Sequence, residues 1–143
     1  MTAPPANGVP PIAQPYAPIV IGVVGYIAIR SGDRSILADK ASGIVRKFAD
    51  AFPSTPIHLL SAMATGADQI VAQAASEFGG RVRVIAPLPM PASVYLESSS
   101  FTKDPAGPQA KDYLRRWLGE PGHESFVLPF DDLSPDENDP RWI

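Results

Sequence analysis

The segment between residues 61 and 68 gathers the side chains best suited to hold a small ligand. It lies between a short apolar run and a segment with helical periodicity, and it reads Ser61-Ala62-Met63-Ala64-Thr65-Gly66-Ala67-Asp68. A glycine at the start of a helix lets an anion approach backbone N–H groups that have no partner within the helix. The hydroxyls of Ser61 and Thr65 could then contact the ligand, and Asp68 could bind a ribose or an amine. The alternative is that Thr65 and Asp68 only cap the helix, as a capping box with Asp in place of Glu or Gln.

A second loop, over residues 25–33, follows the first apolar run of the chain, which Gly25 ends. This loop lacks the G-x-G-x-x-G spacing that is typical of dinucleotide-binding proteins. Arg30 is its one cation and could face a phosphate, the alternative being a solvated arginine. Tyr26 could stack on a base, or it could pack against the neighbouring helix.

The elements around these loops predict a parallel sheet. Apolar, largely β-branched runs at residues 19–24, 57–62 and 82–86 predict three strands, the first covered on both faces. Periodicity of three to four residues predicts helices over 34–52 and 67–78. Strands and helices alternating at this spacing indicate right-handed crossovers, and ligands of such sheets bind at the carboxyl ends of the strands. We therefore expect both loops at one edge of the sheet.

The whole chain is predicted to be an α/β protein, a Rossmann-like three-layer sandwich with a mainly parallel sheet of about four strands. A further helix is expected over residues 108–118, and a fourth strand over 125–130, where Pro129 favours its end or a sheet edge. Residues 1–18 hold six of the 17 prolines and predict a disordered leader. The Rossmann-like domain then covers residues 19–130, and 131–143 form an acidic tail.

Two details of the helices complete the prediction. Gly43 lies within the first helical pattern, where a close contact between helix and strand would explain a glycine. Lys111, Arg115 and Arg116 form a basic patch on the last helix, which is predicted to be a solvated face.

The composition excludes several kinds of chemistry. The 143 residues contain no cysteine, which removes thiol catalysis, disulfides and cysteine-based metal sites. His58 and His123 lie too far apart in sequence for a metal-ligand spacing, and no serine–histidine–aspartate set or paired acid site stands out, so no catalytic residue, metal or cofactor is assigned. A net charge of −3 does not favour nucleic-acid binding. The apolar run of residues 19–29 is shorter than the ~20 residues that span a bilayer, so we expect a cytoplasmic protein without a membrane partner.

Three segments, at residues 21–25, 60–68 and 84–89, together resemble the SLOG superfamily. That Rossmann-like group contains the DNA-processing protein Smf/DprA, the "lonely guy" phosphoribohydrolases and many nucleotide sensors. The resemblance implies a nucleotide or nucleotide-derived ligand at the carboxyl ends of the strands, in a bacterial conflict or defence system. Carried over by position, it implies ligand contacts at Gly25, Ser61, Gly66 and Asp68.

The chain departs from that group at two places. Relatives often have Gly-His-Arg after the first strand, where this chain has Gly25-Tyr26-Ile27. Relatives also continue into a Gly-Gly-Thr phosphate loop, which this sequence does not contain. One wall of the expected pocket would then have to come from a partner chain or a further segment.

Three functions remain open from the sequence. The first is a non-enzymatic sensor or binding domain for a nucleotide-derived ligand, in a homo-oligomer or larger assembly. The second is a protein-interaction domain with a degenerate pocket, which the apolar residues 26–29 favour. The third is an N-glycosidase acting on nucleoside monophosphates, with Asp68 as its general acid. We rank the first highest, because the sequence offers a binding loop without a catalytic set.

Overall fold

The computed structural model describes residues 17–129 of the chain. It contains four strands, which are β1 (Ile19–Gly22), β2 (Ile57–Leu60), β3 (Val82–Leu88) and β4 (Glu124–Val127). Its helices are α1 (Ser31–Ala51), α2 (Ala67–Ser76), α3 (Ala92–Tyr95), α4 (Ser99–Thr102) and α5 (Gly107–Gly119), and a 3₁₀ turn (Gly79–Arg81) precedes β3. The predicted acidic tail, and the predicted leader apart from its last two residues, lie outside the described residues.

The four strands form one parallel sheet in the order β1-β2-β3-β4. This confirms the prediction of a Rossmann-like α/β fold with a parallel sheet of four strands, and it places β4 at an edge. The register pairs Gly22 with Leu60 at the carboxyl ends of β1 and β2. The loops that follow these two strands therefore leave the sheet side by side, as the sequence predicts.

The long helices lie on one face of this sheet. Each successive strand is added on the same side of the last, so right-handed crossovers place α1, α2 and α5 in a row. Burial agrees, because Ile57 and Leu59 are buried along β2 while His58 and Leu60 are only partly covered. On β1, Val20 is exposed. The prediction that β1 is covered on both faces is therefore wrong, and residues 17–129 do not form a second helical layer.

The hydrophobic core fills the space between the sheet and this row of helices. Its buried residues come from every long element, with Val45 on α1, Leu59 on β2, Val84 on β3 and Trp117 on α5. The side of α2 that faces the core is rich in alanine, and Ala72 and Ala75 are fully buried. Small side chains let α2 pack closely against the sheet and α1.

Two local expectations differ from the structure. β3 continues through Pro87, because β2 has already ended opposite Ile85 and β4 alone pairs with this part of β3. Gly43 lies on the exposed side of α1 with no atom within 4 Å of where a Cβ would stand. The expected close contact at Gly43 is therefore wrong. No helix in residues 17–129 is both long and apolar enough to cross a membrane.

Candidate functional site

The loop between β2 and α2 is closed by hydrogen bonds among its own groups. The Ser61 hydroxyl donates to the Asp68 carbonyl oxygen at 2.9 Å and accepts the Met63 N–H at 3.2 Å. The Asp68 carboxylate accepts the Ala64 N–H at 3.4 Å. The polar side chains that the sequence assigned to a ligand thus stabilise the loop itself.

The loop after β1 covers the amino end of α2. The Ala67 N–H donates to the Tyr26 carbonyl oxygen at 3.0 Å. A Cβ on Gly66 would stand 2.1 Å from the Ile27 carbonyl oxygen, and a Cβ on Gly25 would stand 2.4 Å from the Ala67 Cβ. The two glycines therefore let the two loops touch, and backbone carbonyl groups lie where the sequence suggested an anion.

The predicted capping of α2 by Thr65 and Asp68 is wrong. Gly66 is the N-cap residue, with φ at 90°, and no side chain caps the helix. Thr65 lies one position outside, and its N–H donates to the Ser100 carbonyl oxygen at 3.3 Å. Its hydroxyl is buried and has no hydrogen-bond partner among residues 17–129.

The structure brings five of the predicted site residues together and leaves two in solvent. Gly25, Ser61, Thr65, Gly66 and Asp68 meet where the two loops join, at the carboxyl edge of the sheet. The side chains of Ser61 and Thr65 are each only 1% exposed, so a ligand outside the loop does not reach them. Tyr26 is 84% exposed and does not pack against the neighbouring helix. The Arg30 side chain is exposed as well.

Beside this loop, a groove of about 480 Å³ runs between α2 and α5. Its lining includes Arg34 near the start of α1, Gly66 before α2 and Ala106 before α5. The first N–H groups of α2 and α5 already have partners, because Ala67 donates to the Tyr26 carbonyl oxygen and Gly107 to the Asp104 carbonyl oxygen. This α2/α5 groove is therefore an open, ligand-sized cavity in which side chains provide the groups that could bind a ligand.

Polar side chains from both helices line the α2/α5 groove. Gln73 stands on α2, and Gln109, Asp112, Tyr113 and Arg116 stand on α5. Gln69 fixes the spacing of the two helices from beneath, because its amide donates to the Met63 and Ala110 carbonyl oxygens at 2.9 and 2.8 Å. With Arg34, the groove offers two guanidinium groups from different elements.

Comparison with protein-family models, with curated proteins and with solved structures gives no match for this chain. The site therefore stands on its own geometry and chemistry.

The perturbed carboxyl group near the groove is that of Asp68, which is partly buried in the loop. Desolvation raises the pKa of Asp68, and the hydrogen bond from the Ala64 N–H partly opposes that effect. Burial, together with the negative charge of Asp68, also raises the pKa of Tyr95, whose hydroxyl donates to the Ala62 carbonyl oxygen at 2.9 Å. Asp68 does not line the α2/α5 groove. Within the described part of the chain, no group of three or more His, Asp or Glu residues could hold a metal ion.

The sequence did not identify most residues of the groove. Gly66 is the predicted site residue that lines it. Arg116 was grouped with Lys111 and Arg115, which pair with Glu97 and Asp112 on the surface. A usable signal existed, because residues 109, 113 and 116 follow the i, i+4, i+7 spacing of one helix face. From the sequence alone, which does not show that α2 lies beside α5, residues 109, 113 and 116 look the same as an ordinary solvent-exposed helix face.

Proposed function

We propose that this chain is a binding domain for a nucleotide or nucleotide-derived ligand, which it holds in the α2/α5 groove. The observation that carries the proposal is the placement of Arg34 and Arg116 in one groove. The cavity of about 480 Å³ falls within the range of small-molecule sites.

The two arginines suit the phosphate end of such a ligand. A guanidinium group is permanently charged and presents a planar set of donors that fits phosphate oxygens in pairs. Arg34 approaches from α1, whereas Arg116 approaches from the far side of the groove on α5. Arginines on separate elements favour a ligand with extended or multiple phosphates over a single inorganic anion.

The amide and aromatic side chains suit the rest of the ligand. Gln73 and Gln109 each offer a donor and an acceptor, which match the edge of a base or the hydroxyls of a ribose. Tyr113 is half-buried in the wall of the groove and offers a ring surface to a base. The exposed charges of these walls suit a polar ligand better than an apolar one.

Binding without turnover fits the position of Asp68. A general acid must lie within hydrogen-bonding reach of the atom that it protonates. Asp68 lies outside the lining of the groove, and its carboxylate accepts a hydrogen bond from the loop backbone. We therefore favour a sensor or binding domain over an N-glycosidase.

A nucleotide panel tests the proposal. The protein is titrated calorimetrically with nucleoside mono-, di- and triphosphates, cyclic dinucleotides and ADP-ribose, and its unfolding is measured with each. A ligand present at 100 times its dissociation constant stabilises the fold by ~2.7 kcal/mol. If no member of the panel binds, the proposed ligand class is wrong.

Two arginines supply a matched pair of variants. Arg116→Gln should weaken binding roughly 10- to 100-fold, because a charge-assisted hydrogen bond contributes ~1.5–3 kcal/mol. Arg83→Gln removes the same charge from the surface pair with Glu124, outside the groove, and should leave affinity nearly unchanged. Equal effects of the two substitutions would place the ligand elsewhere.

A further inference from the structure

Exposed apolar side chains are concentrated in one part of the described chain. Seven of the ten large hydrophobic residues that are exposed within 17–129 belong to β1, the loop after it and α1 with its C-cap residue. They are Val20, Val24, Tyr26, Ile36, Ile44, Phe48 and Phe52. Monomeric proteins rarely leave a large contiguous apolar surface uncovered, so this part of the chain suits an interface.

β1 is an unprotected edge strand. Within the described residues it pairs with β2 alone, and its sequence Ile-Val-Ile-Gly contains neither a charge nor a proline. The opposite edge carries a charge, because β4 begins with Glu124, which pairs with Arg83. Charged side chains are a usual means by which an edge strand avoids pairing with another chain. β1 has none, and Pro18 lies just before the strand rather than within it.

The outer side of α1 carries a ridge that is complementary to itself. Residues 36, 40, 44, 48 and 52 lie four apart, and they are Ile36, Lys40, Ile44, Phe48 and Phe52. Such i±4 rows are the ridges by which helices pack. The row is centred on Ile44, so a two-fold axis at that residue would place position 36 of one copy against position 52 of the other. Position 40 would meet position 48, where an ammonium group over a phenylalanine ring is attractive.

We propose that two copies of this chain associate through the β1 edge and the α1 ridge. The β1 strands would pair antiparallel across the two-fold axis and join the two sheets into one. Adjacent strands lie ~4.8 Å apart, and α1 covers the space between β1 and β2, so the two α1 helices would be ~9–10 Å apart. That separation is the packing distance of two helices. Since α1 runs opposite to β1, the same axis also makes the two α1 helices antiparallel.

The apolar area is adequate for a stable dimer. A standard interface buries ~800 Å² on each partner. Val20, Val24 and the four α1 residues, most of them about half exposed or more, together offer on the order of 600 Å². The backbone of β1 adds to that area. A second copy therefore matches this edge in size, polarity and symmetry.

The absence of native cysteines provides a direct test. In Ile44→Cys, the introduced thiols of two copies lie beside the two-fold axis, so mild oxidation should yield a disulfide-linked dimer. Val127→Cys is the matched control, since Val127 is similarly exposed on the opposite edge strand. It should remain largely monomeric on a denaturing gel. Equal cross-linking of the two variants would overturn the proposal.

The second test is analytical ultracentrifugation of the 143-residue chain in the absence of nucleotide. The protein should show a concentration-dependent dimer, and Ile44→Asp should raise its dissociation constant roughly 10-fold or more, whereas Val127→Asp should not. A monomer at every concentration would overturn the proposal, including the case in which the chain's own first 16 residues cover the ridge. A dimer that survives Ile44→Asp would also overturn it. Neither test depends on the nucleotide site.

Discussion

Gly66 and Gly43 illustrate how one residue type meets two different demands. Gly66 holds φ at 90°, and the carbonyl oxygens of Tyr26 and Ile27 lie where its Cβ would be. Gly43 lies in the interior of α1 with open space around it. At position 66, both the positive φ and the nearby carbonyl oxygens exclude a side chain. At position 43 a side chain would fit, and glycine only makes the helix less stable than alanine would.

Alanine at each glycine should therefore change stability in opposite directions. Gly66→Ala should lower the free energy of unfolding by about 1–3 kcal/mol or more, because it adds backbone strain and displaces the loop after β1. Gly43→Ala should raise it by about 0.5–1 kcal/mol. Urea denaturation of the two variants measures both effects. A neutral Gly66→Ala would contradict the contact between the two loops.

The sequence identified the glycine at position 66 but not the group that requires it. Local rules predict that a glycine before a helix admits an anion, and they do not show what the rest of the chain brings there. The Tyr26 and Ile27 carbonyl groups reach this point from 40 residues away. For the same reason, the predicted contacts of Ser61 and Thr65 with a ligand remain predictions. Their burial follows from the packing of the loop against α3 and α4, which the sequence did not position.

At the scale of elements, Arg81 joins the end of α1 to the start of β3. Its guanidinium group donates to the carbonyl oxygens of Ala49, Phe52 and Thr55 at 3.1–3.2 Å. The last carbonyl groups of a helix have no partner within it, so this side chain acts as a cap from outside. The contact fixes where α1 ends relative to the sheet.

Loss of the Arg81 hydrogen bonds should lower the free energy of unfolding more than loss of a neighbouring surface ion pair. Arg81→Met should lower the free energy of unfolding by about 1–3 kcal/mol, and Arg81→Lys should recover only part of it, because one ammonium group cannot span three carbonyl groups. Arg83→Met, which breaks the exposed pair with Glu124, should cost at most about 1 kcal/mol. Chemical denaturation of the three variants decides between these outcomes. Equal losses from Arg81→Met and Arg83→Met would show that Arg81 does not hold α1.

The long elements were predictable because their periodicity extends over many residues. The sequence predicted helices over 34–52, 67–78 and 108–118, and the structure has them at Ser31–Ala51, Ala67–Ser76 and Gly107–Gly119. The short helix α4 falls outside these predictions. Four residues carry no readable period, and α4 is held by tertiary contact, since Phe101 packs edge-to-face on Tyr95 at 5.1 Å.

At the scale of the molecule, the strand order determines which face of the sheet the helices cover and which helices are neighbours. The sequence alone did not reveal either. A continuous apolar run such as β1 predicts a strand covered on both faces, and in most parallel sheets that inference holds. Here the strands follow one another in chain order, so every long helix falls on one side. The same order sets α2 beside α5 and so creates the groove. The edge of the sheet at which the two loops meet was predictable, whereas the residues that line the groove depend on that adjacency.

Asp68 should shape the pH dependence of the whole fold. Its pKa is raised by burial, so between the ordinary carboxyl pKa of ~3.9 and the raised value the folded state binds more protons than the unfolded chain. Stability should therefore decrease as the pH rises through that window, because the buried carboxylate must ionise. Asp68→Asn removes the ionisation while its side-chain oxygen can still accept the Ala64 N–H, so it should flatten this part of the curve and stabilise the protein at neutral pH.

Denaturation at a series of pH values measures that difference directly. The matched control is Asp39→Asn, which removes the same charge from an exposed position on α1. Its profile serves as the reference for the loss of one surface charge, and the profile of Asp68→Asn should diverge from that of the unmodified protein as the pH rises above ~4. If the profiles of Asp68→Asn and the unmodified protein stay parallel, the Asp68 carboxylate is solvated and does not shape the pH dependence of the fold.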